Sequence, residues 1–73
     1  MSTKEYIAVI EQAQDGSFSA YVPDLPGCVT CGDTVELVQQ LIGEAIALHI
    51  ESLRNHGDDI PRPSAITIAV PAA

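Results

Sequence analysis

Two cysteines three apart, two histidines and ten carboxylates are the side chains of this 73-residue chain whose types could do chemistry. Cys28-Val29-Thr30-Cys31 has the C-x-x-C spacing of redox dithiols and of half a zinc site. A redox pair works from a helix N-terminus, where the thiol pKa is lowered, but Val29 and Thr30 are strand formers. In an extended segment the two sulfurs point to opposite faces, too far apart to bridge. A closed zinc site needs four ligands, and His49 and His56 come with no second cysteine pair. The thiols are expected to be free.

The acids are scattered through turns, helix caps and the outer side of a helix, which suits solvated or capping carboxylates better than a cluster holding two metal ions. His49 falls within an apolar helical stripe, the setting of a hydrogen-bonded core histidine. No Ser-His-Asp or Cys-His arrangement follows from the spacing. The chain is therefore expected not to be an enzyme, with no catalytic residue, no metal ligand and no cofactor, and to leave RNA uncleaved.

Ten Asp and Glu against three Lys and Arg give a formal charge of -7, which repels a phosphate backbone and attracts a basic protein. No direct binding of nucleic acid is expected. The start, Met1-Ser2-Thr3-Lys4-Glu5, has no signal-peptide pattern, and no apolar run reaches the roughly 20 residues of a membrane span. Two free cysteines without an export signal point to the reducing cytoplasm.

The elements that carry these residues can be read from periodicity. Residues 6–11 and 18–22 are rich in strand formers and flank Asp15-Gly16, a hairpin turn pair. Phe18, Ala20 and Val22 share one face of the second strand. Pro23-Asp24-Leu25-Pro26-Gly27 makes a rigid loop, and residues 28–31 a short third strand. From Gly32-Asp33-Thr34 the period becomes helical, with Asp33 or Thr34 as N-cap. Val35, Val38, Leu41, Ile42, Ala45, Ile46, His49 and Leu53 lie on one side; Glu36, Gln40, Gly43, Glu44, Glu51 and Arg54 lie on the other. Gly57 suits the helix end. After a proline-stiffened connector, Ala65-Ile66-Thr67-Ile68-Ala69-Val70 alternates and predicts a fourth strand with Ile66, Ile68 and Val70 inward. The fold class is α+β in the order β-β-β-α-β: one domain over residues 1–73, with a small, mostly antiparallel sheet and one helix packed on one of its faces.

Taken in order, Asp15-Gly16, Tyr21-Val22-Pro23-Asp24-Leu25-Pro26-Gly27-Cys28, Gly32-Asp33-Thr34, Glu44-Ala45-Ile46, and Gly57 followed by Ile60-Pro61-Arg62-Pro63-Ser64 resemble the HicB-like antitoxin family over residues 6–70. The resemblance implies a partial RNase H-like fold and a role as antitoxin of a type II toxin–antitoxin pair. In that role the chain binds HicA, a small basic RNA-cleaving toxin, and blocks it by occlusion. Members of that family commonly continue into a DNA-binding segment, whereas this chain stops at Pro71-Ala72-Ala73, so the likeness is to the stand-alone N-terminal domain. Leu37-Val38 also stands where the family often has Glu-Ala.

Contact with the HicA-like toxin is expected at Asp24 and Leu25 in the proline loop and at Glu44 and Glu51, which share the outer helix face two turns apart. The apolar side of the helix, reaching round to Leu37 and Leu48, is wider than one small sheet covers. A homodimer, tetramer or other closed assembly is therefore expected, through that helix face or a sheet edge. The alternative is an orphan HicB-like structural or ligand-binding oligomer with no toxin partner.

Overall fold

The computed structural model describes residues 5–72; the polar start read above at residues 1–4 lies outside them, as does Ala73. Three strands, β1 (Val9–Gln12), β2 (Phe18–Tyr21) and β3 (Val29–Gly32), precede one helix, α1 (Val35–Asn55). The sheet order is β1-β2-β3 with both pairings antiparallel, so β2 is central and β1 and β3 each keep a free edge. This is the expected α+β arrangement of a small antiparallel sheet followed by one helix.

Each connection follows from local chemistry. In the first hairpin the amide of Ala13 donates to the Ser17 carbonyl at 2.7 Å, and Asp15 accepts from both the amide and the hydroxyl of Ser17, at 3.0 and 2.6 Å. Thr34 caps α1 by accepting from the Leu37 amide at 3.1 Å, with Glu36 in the positive first turn and Arg54 in the last. The helix closes in a Schellman motif. Gly57, at φ +71°, donates to the Arg54 carbonyl, and Asp58 reaches the Leu53 carbonyl at 2.9 Å.

Packing matches the two periods. In the sheet, Phe18, Ala20 and Val22 face the helix; Ala20 and Val22 are buried against Val38 and Ile42 of α1, together with Leu25 and Cys28 of the intervening loop. Ala45, Ile46 and Leu53 pack on this cluster from the helix, and Tyr6, Ala8 and Ile10 from the first strand and the residues before it. Glu36, Gln40, Gly43, Glu44, Glu51 and Arg54 are exposed, as the helical wheel requires. The helix lies over β2 and β3 rather than β1.

The last element differs from the expectation. Residues 65–70 form no strand, and Ile66, Ile68 and Val70, expected inward, are 85, 79 and 72% exposed. Their alternation is that of a strand with one apolar side, but a strand needs a ladder partner, and these residues pair with neither edge of the β1-β2-β3 sheet.

Candidate functional site

The proline loop is built from two consecutive tight turns. The Leu25 amide donates to the Val22 carbonyl across Pro23-Asp24, and the Cys28 amide donates to the Leu25 carbonyl across Pro26-Gly27, both at 3.0 Å. In each turn proline occupies the second position, where its fixed φ is already correct. Gly27, at φ +85°, gives the second turn the left-handed residue of type II geometry. The Val22 amide closes the loop onto the Cys28 carbonyl at 3.2 Å.

This double turn sends its two central side chains in opposite senses. Leu25, expected at a partner surface, is 0% exposed and belongs to the core. An aliphatic side chain at the junction of two turns has the sheet–helix interior on one side and water on the other, and burial decides its direction. Asp24 turns outward and holds the C-terminal connector. Its carboxylate accepts from the Ser64 amide at 3.0 Å, the Ser64 hydroxyl at 2.8 Å and the Ala65 amide at 3.0 Å. Nearby, the Tyr6 hydroxyl donates to the Pro61 carbonyl. Tyr6, Ile60, Pro61, Arg62 and Pro63 line a groove of about 250 Å³ beside this tie.

The Asp24 pKa is held below its ordinary value of 3.8, first by the Ser64 amide, then by the Ala65 amide and the Ser64 hydroxyl, against a smaller opposing effect of desolvation. A depressed folded-state pKa stabilises the structure above the unfolded value and ceases to do so as pH falls through the folded one. The tie is therefore complete above pH 3.8 and opens only below it. In an NMR titration the Ser64 and Ala65 amides should remain hydrogen-bonded past the ordinary aspartate midpoint. In Asp24→Ala, which removes the one oxygen that accepts from both amides, both should exchange faster at neutral pH. A titration of these amides centred on the ordinary value would contradict the tie.

Glu44 and Glu51 are both exposed on the outer side of α1, remote in the chain from the proline loop; Glu44 accepts from Gln40 at 3.4 Å. His49 is half-buried on the helix. His56, exposed after the helix, has its Nδ1 2.7 Å from the Ser52 carbonyl oxygen. Cys28 is buried and Cys31 exposed, both unbridged, and burial pushes the Cys28 thiol pKa up, away from reactivity. Among the described residues no three His, Cys, Asp or Glu side chains gather where an ion could be held, and no helix is long and apolar enough to cross a membrane. The sheet face away from the helix carries an open depression lined by Ser19, Tyr21, Val29 and Cys31, with Val29 64% exposed.

Tyr6, Ser64 and Ala65 were not marked as site residues in the sequence. Asp24 and Ser64 are 40 positions apart, and no local pattern pairs them. The outer sheet face was partly visible, since Ser17, Ser19 and Tyr21 share the side opposite Phe18, Ala20 and Val22, but Val29 needed the β2–β3 register, in which it lies opposite Tyr21.

Residues 6–72 match the model of the HicB-like antitoxins of bacterial toxin–antitoxin systems. A UPF0150 protein of Thermoplasma acidophilum is 43% identical over 93% of this chain and 99% of its own length, and one from Synechocystis is 41% identical over 84% of this chain and 77% of its own. An uncharacterized 14.9 kDa protein of Haemophilus phage HP1 is 36% identical over 84% of this chain, which spans 45% of the phage protein. The double-turn loop, the capped amphipathic helix and the antiparallel sheet all lie within the matched span, and the chain belongs to the HicB-like antitoxin family.

Proposed function

We propose that this antitoxin neutralises a HicA-like, RNA-cleaving toxin in the cytoplasm by lying across the toxin's RNA-binding surface, with no bond made or broken by the chain itself. The observation that carries this reading is the exposed acidic side of α1, with Glu36, Glu44 and Glu51 in water on a chain of net charge -7. A surface that holds RNA phosphates is basic, and an acidic helix face competes for it by the same electrostatics that bring it there. Asp24 is the other candidate contact. Its carboxylate is already committed to Ser64 and Ala65, so it would act by presenting the connector rather than as a free charge. The unbridged Cys28 and Cys31 fit a reducing compartment.

Co-expression with a small basic HicA-like toxin tests this. The expected outcome is restored growth of cells arrested by that protein, together with co-purification of the two chains. Continued arrest in cells that contain the folded chain, verified by circular dichroism after purification, would overturn the proposal.

A further inference from the structure

We propose that residues 65–70 are a β-strand given to a second copy of this chain, where they add to the free edge of β1 while that copy's own strand is returned in exchange. The inference starts from the unpartnered arm and is independent of toxin binding. Ile66, Ile68 and Val70 form an apolar row with a strand's period, and all three are more than two-thirds exposed. Six consecutive residues without a charge, bearing three aliphatic side chains in water, have the composition of a strand lacking its sheet.

In the single chain the arm stays unpaired, since residues 65–70 form no strand and are absent from the β1-β2-β3 sheet. Its root is held at two points: the Asp24 carboxylate binds the Ser64 and Ala65 amides, and the Tyr6 hydroxyl binds the Pro61 carbonyl. Pro61 and Pro63 stiffen the stretch between these ties. Beyond Ala65 there is no Gly, Asn or Asp before Pro71, so the arm lacks the residues on which tight turns are usually built.

What the arm lacks is present on this same chain. β1 is bonded to β2 alone, so one side of its backbone is free to pair. The helix lies over β2 and β3, which leaves Ala8 and Ile10 only half-buried along the inner side of that edge. A neutral apolar arm needs such a row beside an open backbone edge, and a basic toxin surface is the wrong chemistry for it. Reciprocal exchange about a two-fold axis satisfies both arms and both edges at once and closes the assembly. The association must overcome repulsion between two chains of charge -7, so it tightens as salt rises, opposite in sign to steering of a cationic toxin.

The test is the mass of the purified chain by light scattering at micromolar concentration across a salt series, with amide exchange of β1. Expected are a dimer that strengthens with salt and slow exchange at the β1 edge. Ile66→Asp/Ile68→Asp should give a monomer with normal helical circular dichroism, because both side chains lie outside the core, and should lose protection at β1 while keeping it in α1. Leu48→Asp, on the exposed helix side, should leave the dimer intact. A wild-type monomer, a dimer that survives the arm substitutions, or a dimer broken by Leu48→Asp would each overturn the proposal.

Discussion

Leu25→Ala should destabilise the domain by about 2–5 kcal/mol, the usual range for truncating a buried leucine. The site is at the severe end of that range for two reasons. The side chain is fully buried, and it sits in a loop whose two proline turns resist collapse into the vacated space. A small domain has only about 5–15 kcal/mol of stability to lose, and one of this length stands near the bottom of that range. The measurement is urea unfolding followed by circular dichroism, with Ile42→Ala as a helix-side comparison in the same core. Equal losses would mean that loop and helix contribute alike to one cooperative core. A loss below about 1 kcal/mol at Leu25 would mean that the loop repacks around the cavity.

Glu44→Lys/Glu51→Lys should slow association with the toxin by roughly tenfold at low salt and flatten its salt dependence. Each reversal adds two units, taking the formal charge from -7 to -3. Both side chains are exposed on the face of α1 away from Val38 and Ile42, so the helical signal and the unfolding midpoint should stay close to wild type. Stopped-flow association across a salt series separates this from Leu25→Ala, which acts by unfolding the chain. An unchanged on-rate would remove the outer helix face from the steering surface and turn attention to the loop and connector around Asp24. The two substitutions therefore divide loss of neutralisation into a surface cause and a folding cause.

Much of the fold was legible because its signals are local. The hairpin follows from Asp15-Gly16 between two runs of strand formers, and the loop from two prolines each at the second position of a tight turn. The helix from Val35 to Asn55 follows from a cap, a 3.6-residue apolar period and a closing glycine. The faces of α1 came out as the wheel assigns them, since helical geometry alone decides which side chains share a side. Two cysteines three apart in an extended segment had to part, and one is buried and the other exposed.

Three features were decided only by the tertiary structure. Periodicity could place Leu25 in a turn but not say which way it points; that depends on a core assembled from strands and a helix on either side of it. The Asp24 carboxylate found its donors 40 residues away, a contact with no counterpart in local spacing. The alternation of residues 65–70 is the plainest case. A period of two states that a segment can pair and which side chains would then share a face, but the hydrogen bonds of a strand belong to its neighbour. Whether that neighbour is present is a property of the assembled molecule, and in a single chain Ile66, Ile68 and Val70 remain in water.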